Sequence, residues 1–348
     1  MKSIFRRKNK SNGNKPQSPV SSSSPTAEEL IASNRRALSA ADILWAKQII
    51  SPYIRRTPII AASATLHSLP QTNVFLKLDN LQVTGSFKAR GALCKLLSMP
   101  ADEAKNGVIT ASGGNHGIAV AYAAKQVGVP ATIYVPESIN PEKRRYMNEW
   151  GGKTVTAGPI FHDALTRARK ESKDSGIPFV HTFADRQVIC GQGTVGLEIM
   201  EDLPDVDVLV VAIGGGGLIS GISIAAHAIN QKLRIIGVEP TGAATLYESV
   251  RAGKIVKLPN VNTKAGTLSM SQTVKINFDI VKKHVEDIVL VSDEQMKAAA
   301  KWLWFEMGIA AELSGAASVA ALMFDKIKIK PHEKVCALIC GSGLDGVI

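Results

Sequence analysis

The chain has 348 residues, 45% hydrophobic and 20% charged, enough for one large or two medium globular domains. Of its net charge of +11, six basic residues (Lys2, Arg6, Arg7, Lys8, Lys10, Lys15) fall within positions 1–27, which hold no acid. The remaining balance of about +5 does not indicate a nucleic-acid-binding protein, and no apolar run reaches the roughly 18–20 residues of a membrane span.

Positions 1–27 hold Ser21 to Ser24 and Pro16, Pro19 and Pro25 but almost nothing to bury, so a disordered basic tail is expected. Its serine-rich, acid-free composition also matches organelle transit peptides. A plain solvated tail on a cytoplasmic protein is the simpler reading. The four cysteines (Cys94, Cys190, Cys336, Cys340) include no pair at CxxC spacing and read as buried thiols.

From position 40 the pattern becomes regular. Helical spacing of Ile43, Ala46, Ile49 and Ile50 predicts a helix over 40–50, and Pro58 follows it. A strand is predicted over 74–78 and a helix over 86–98. Strands and helices then alternate over 107–111, 115–127, 131–135, 141–150, 153–155, 162–175, a strand at 180–182, and a helix over 191–202. The alternation continues over 208–213, 218–230, 234–238, 245–252, 288–291, 293–307, 314–324 and 334–340. Short β-rich runs between helices of 10–15 residues predict βαβ units and parallel sheets. There are too many strands for one comfortable sheet, so two α/β lobes flanking a cleft are expected. The polar, aperiodic stretch 257–274 reads as a long functional loop near that cleft.

Four segments carry candidate chemistry. Gly214, Gly215, Gly216 and Gly217 join an apolar strand to a helix that opens at Leu218, a turn suited to a phosphate because successive N–H groups converge at a helix N-terminus. The run is neither GxGxxG nor a GK[ST] loop, so no dinucleotide or ATP site is indicated. In Thr84-Gly85-Ser86-Phe87-Lys88-Ala89-Arg90-Gly91-Ala92, Lys88 sits in the first turn of a helix capped by Thr84 or Ser86. The helix dipole disfavours a cation there and favours the neutral amine that imine chemistry needs. An exposed surface lysine fits these residues equally well. Ser112, Asn115 and the N–H groups at the start of the next helix would form a carboxylate cradle. Alternatively, Ser112 is an N-cap and His116 a satisfied buried histidine. The fourth segment, a strand ending at Cys340-Gly341-Ser342-Gly343, lies where open α/β sheets place ligands, though an apolar strand ending in a turn fits as well.

Taken together, the four segments resemble the threonine/serine dehydratases, enzymes of pyridoxal 5′-phosphate (PLP) with the two-lobed, parallel-sheet α/β fold of the tryptophan-synthase β-subunit (fold type II), to which serine racemase is also related. The resemblance covers roughly residues 40–348. The pair Ala89-Arg90 after the lysine points to the dehydratase branch rather than the sulfhydrylase branch. The resemblance implies β-elimination from L-threonine or L-serine to a 2-oxo acid and ammonia. Its alternatives are serine racemisation, dehydration of another β-hydroxy amino acid such as hydroxyaspartate or phenylserine, and non-catalytic binding of PLP or an amino acid.

The resemblance also implies roles at matching positions. Lys88 would link covalently to PLP, Phe87 would pack near its ring, and Asn115 would bond its 3′-oxygen. Gly214 to Gly217 and Leu218 would bind its phosphate, and Cys340 would face its ring nitrogen. Ser112, Asn115 and His116 would hold the substrate carboxylate. Glu239 and Glu312 match acidic cation ligands. A homodimer or homotetramer is implied, with a large lobe over 28–85 and 184–348 and a small lobe over 86–183. Two departures stand out. Racemases have a serine at the position of Gly113, so racemisation is expected to be poor. The family's Ala-Asp-Gly in the long loop gives way to Lys264-Ala265-Gly266-Thr267.

Overall fold

Runs of β-branched and aliphatic residues form the strands that build the core. The computed structural model describes residues 36–347, and from Leu38 on these form one unit containing two sheets. The expectations for residues 1–27 lie outside the described residues.

The larger sheet contains β1 (Ile59–Ala61), β2 (Val74–Leu78), β6 (Val208–Ala212), β7 (Arg234–Pro240), β8 (Asp287–Val291) and β9 (Val335–Ile339), in the order β1-β2-β9-β6-β7-β8. Only β1 runs antiparallel to its neighbour; the other pairs are parallel. Every residue of β6 and β9 is buried, as expected of central strands covered by helices on both faces. The smaller sheet holds β3 (Val108–Ala111), β4 (Ala131–Val135) and β5 (Lys153–Thr156), all parallel. The fold is therefore α/β with two mostly parallel sheets, as expected from the sequence.

Three helices form a tight junction between the sheets. They are Lys88–Leu97, Arg186–Asp202 and Gly217–Ile229. A Cβ on Gly193 would lie 2.8 Å from the Gly221 carbonyl oxygen, and one on Gly191 would lie 2.7 Å from the Gly91 Cα. Glycine at these crossings lets the backbones touch, and it locks the lysine-bearing helix to the helix that follows the four glycines.

Some predicted elements differ from those observed. Residues 180–182 form no strand; Phe179 makes a single bridge to Ile109, and the predicted stretch runs on as irregular backbone. The helix predicted from 191 begins at Arg186, because its glycines mark close packing rather than a helix boundary. The helices Ala101–Ala104 and Lys275–His284 and the strand β1 were not anticipated. Among the described residues no helix is long and apolar enough to cross a membrane, and no disulfide joins the four buried cysteines.

Candidate active site

The chain approaches Lys88 through a kink. Thr84 and Gly85 both take positive φ (69° and 77°), which turns the backbone back toward the end of β9. There Ser86 forms an antiparallel bridge with Gly341, Phe87 N–H donates to the Cys340 carbonyl at 3.1 Å, and Ser342 N–H donates to the Gly85 carbonyl at 2.8 Å. The helix Lys88–Leu97 starts at the lysine itself, with Phe87 as N-cap.

Neither Thr84 nor Ser86 caps this helix, contrary to expectation. Both hydroxyls are buried with no protein partner among the described residues. The Lys88 amine donates to the Thr182 carbonyl at 3.1 Å and lies 4.9 Å from the centre of the Phe87 ring. Its pKa is lowered to about 8 chiefly by burial, against the opposing influence of Cys340 and Glu312. The direction agrees with the sequence reading, but desolvation rather than a helix dipole is the main cause. Lys88 is partly buried, not an exposed surface lysine.

The four glycines form the expected bend between β6 and the helix Gly217–Ile229. Gly216 adopts φ 92°, a conformation that favours glycine. Gly215 and Gly217 pack directly on Phe183. Asn277 Nδ2 and Thr273 Oγ1 donate to the Gly215 carbonyl at 2.9 and 3.1 Å and fix the bend. Among the described residues no acceptor takes the N–H groups of Gly215, Gly216, Gly217, Leu218 or Ile219. Five donors without acceptors at and just before a helix N-terminus are what an anion nest would require. Thr182 and Phe183 join the two segments: one residue receives the lysine amine and the next packs under the bend.

At the third segment Ser112 Oγ accepts from Gly114 N–H at 3.2 Å, so it shapes the turn while Gly114 itself is the N-cap of the helix Asn115–Val127. The N–H groups of Gly113, Asn115 and His116 have no acceptor among the described residues, which a carboxylate cradle would require. The His116 ring takes a different place. Its Nε2 lies 3.3 Å from the Val180 carbonyl, and burial lowers its pKa to about 3, so it is neutral and turned into the core. Only its backbone N–H faces the cradle role that the sequence assigned to the residue.

Asn115 Nδ2 donates to Glu312 Oε1 at 2.9 Å, and Thr267 Oγ1 donates to the same oxygen at 3.0 Å. The Lys143 amine lies 3.6 Å from Glu312 Oε2. Glu312 is buried, and burial raises its pKa above the usual carboxylate range. The Cys340 thiol is 3.6 Å from the Ser314 carbonyl, and burial holds it neutral, well above the ordinary thiol range.

Glu239 serves a helix start. Its two oxygens accept the N–H groups of Leu246 and Tyr247 at 2.9 and 2.8 Å, capping the helix Thr245–Ala252. Burial raises its pKa to about 8. Among the described residues no three His, Cys, Asp or Glu side chains are grouped to hold a metal ion.

Sequence reasoning missed the charged network beneath Lys88. Arg90 is fully buried; its Nη2 lies 2.6 Å from Asp79 Oδ1 and its Nη1 lies 2.6 Å from Glu198 Oε1. Lys77, also fully buried, donates to Glu198 at 2.7 Å and to the Thr57 carbonyl at 2.6 Å. The available signal was Thr194 and Glu198 at i,i+4 spacing within the largely apolar stretch 193–200; both meet Arg90 Nη1.

The site thus brings together one amine with a lowered pKa, two sets of N–H groups without acceptors at helix starts, and two buried hydroxyls with no partner among the described residues. Such a set fits a cofactor that combines an electrophilic carbon with a phosphate. Comparison with known proteins agrees. The family model described as "Pyridoxal-phosphate dependent enzyme" matches residues 50–341. The L-threonine ammonia-lyase of Thermotoga maritima is 38% identical over 304 residues, 87% of this chain and 75% of that protein. Maize serine racemase superposes with a TM-score of 0.82 at 32% identity, covering 88% of this chain and 94% of that one. The processed threonine deaminase isoform 2 of Solanum lycopersicum superposes with a TM-score of 0.83 at 32% identity, covering 92% and 86%. The chain belongs to the pyridoxal-phosphate dependent enzymes of fold type II.

Proposed function

We propose that this enzyme eliminates the β-hydroxyl of L-threonine, L-serine or both, giving a 2-oxo acid and ammonia. The reading rests above all on the buried Lys88 amine, its pKa lowered to about 8, and on Phe87, whose N–H ties the lysine segment to the Cys340 carbonyl. It is supported by similarity to proteins named threonine ammonia-lyase and threonine deaminase.

When bound, PLP withdraws electrons from the substrate's Cα and makes its proton removable. The residues of the chain supply the rest. The nest at residues 215–219 would hold the phosphate, and Lys88 would hold the aldehyde carbon until substrate arrives. The cradle at 113–116 would orient the substrate carboxylate, and the freed Lys88 amine, with its lowered pKa, would take the Cα proton. Cys340, kept neutral by burial, would leave the ring nitrogen without a charged partner. That would moderate electron withdrawal and favour loss of the β-group over reactions that need a stronger electron sink. Asn115 would reach the cofactor's 3′-oxygen from its bond to Glu312.

We further propose that the lobes divide at residues 86 and 183, that the enzyme works as a homodimer or homotetramer, and that it is cytoplasmic. A panel of serine, threonine, phenylserine and hydroxyaspartate tests the main reading through ammonia release by the PLP-loaded enzyme. Turnover of serine or threonine is expected to lead. No ammonia from either, with turnover of another member, would replace the substrate assignment; no ammonia from any would end the elimination reading.

A further inference from the structure

We propose that Thr267 sets the upper size limit of the substrate's β-substituent, admitting hydrogen or methyl and excluding larger groups. The proposal rests on the reading that the chain acts on β-hydroxy amino acids.

Thr267 lies in the short turn Gly266–Leu268, inside the long loop where the sequence departs from the family's Ala-Asp-Gly. It is wedged between the two ligand-binding segments. Its γ-methyl lies 3.7 Å from where a Cβ on Gly114 would stand, beside the carboxylate cradle. Its carbonyl oxygen lies 3.1 Å from where a Cβ on Gly214 would stand, at the start of the phosphate bend. A substrate held by its carboxylate at the cradle, and joined to a group whose phosphate sits in the nest, must place its Cα and Cβ between those two segments. The residue filling the interval borders the β-substituent.

The side chain is also fixed. Oγ1 donates to Glu312 Oε1 at 3.0 Å and shares a hydrogen bond with Ser314 Oγ. Buried Ala265 and Leu268 anchor the turn on either side. A β-branched residue has few χ1 choices, so while the hydroxyl is held the methyl stays where it is. The same methyl that leaves room for serine or threonine would collide with a phenyl or longer alkyl group.

Two substitutions separate the methyl from the hydroxyl. Thr267→Ser removes the methyl and keeps the bonds to Glu312 and Ser314; Thr267→Val keeps the shape and removes those bonds. Steady-state ammonia release by the PLP-loaded enzymes would be measured on serine, threonine, 3-hydroxynorvaline and phenylserine. Thr267→Ser is expected to raise kcat/KM for the two larger substrates relative to serine by about tenfold or more, the usual worth of a methyl in a tight pocket. Thr267→Val should keep the wild-type ranking at lower absolute rates. Unchanged kcat/KM ratios of the two larger substrates to serine in Thr267→Ser overturn the proposal, as does a Thr267→Val shift in those ratios matching that of Thr267→Ser. In either case wild-type turnover of serine or threonine leaves the elimination reading intact. Wild-type enzyme inert on all four substrates would remove both.

Discussion

Phe87 N–H donates to the Cys340 carbonyl at 3.1 Å, so the residue preceding the lysine is pinned to the end of a fully buried central strand. The bond joins two segments more than 250 positions apart in sequence and sets Lys88 beside Cys340. The Cys340 thiol is held neutral by burial, and what matters in this account is its lack of charge. Cys340→Ser, which also presents a neutral group, should keep kcat/KM within a few-fold of wild type. A loss of a hundredfold or more in the folded, PLP-loaded variant would mean the sulfur has a role that a hydroxyl cannot fill.

The lysine helix is held from below by Arg90. Burial works against the charge on Glu198, yet Arg90 and Lys77 keep its carboxyl below the usual range. Replacing Arg90 with Met leaves Asp79 without its guanidinium and strips Glu198 of one of two cations. Breaking a buried pair in this way costs about 3–5 kcal/mol. Urea denaturation of Arg90→Met should show a correspondingly lower midpoint. A midpoint within experimental error of wild type would remove the network from the account of the fold.

The Lys88 amine titrates near pH 8 in the folded chain without cofactor, against an ordinary value of 10.5. Only the neutral amine attacks an aldehyde, so the rate at which the cofactor-free chain captures PLP should rise about tenfold per pH unit up to about 8 and then level. Stability follows the same displacement. Between about pH 8 and 10.5 the unfolded chain binds more protons at this site than the folded one, so this group makes stability rise with pH across that window. Stopped-flow absorbance of PLP capture from pH 6 to 9 gives the first reading; a flat profile would contradict the lowered pKa.

Gly113 occupies the place where racemases carry a serine. A Cβ built there meets only Pro136, at 3.5 Å, an ordinary contact, and φ is not in the left-handed region. The glycine is therefore not required for folding. Gly113→Ser should fold with a stability within about 0.5 kcal/mol of wild type. The wild-type enzyme should release ammonia from L-serine while forming little D-serine, as chiral chromatography of recovered serine would show. Abundant D-serine from wild type would favour the racemase reading, which similarity to maize serine racemase keeps in view.

Much of this site was legible before any coordinates. Lys88, the four glycines and the turn before Asn115 lie in short segments whose chemistry is local: an amine or a set of N–H groups at a helix start. The alternation of β-rich runs with longer periodic stretches also gave most of the elements. What was not legible depends on distant partners. Lys77 and Asp79 sit in or just after a strand, and nothing nearby reveals that Arg90 and Glu198 will neutralise them. The helix was expected to start at Gly191 because glycine disfavours helices, whereas close helix crossings at Gly191, Gly193 and Gly196 override that preference and the helix begins at Arg186. The helix Lys275–His284 is short, and its Asn277 is fully buried to support the glycine bend, which breaks the apolar stripe that periodicity would detect. His116 looked like part of the carboxylate cradle by position, but burial turns its ring the other way.

The central claim is that one amine, that of Lys88, carries the cofactor and the chemistry. Lys88→Ala should be prepared with PLP, and its long-wavelength absorbance followed beside ammonia release from threonine and serine. The account predicts that the variant folds, loses the long-wavelength band of covalently held cofactor, and loses ammonia release with it. A variant that keeps both the band and the wild-type rate would place the reactive amine elsewhere.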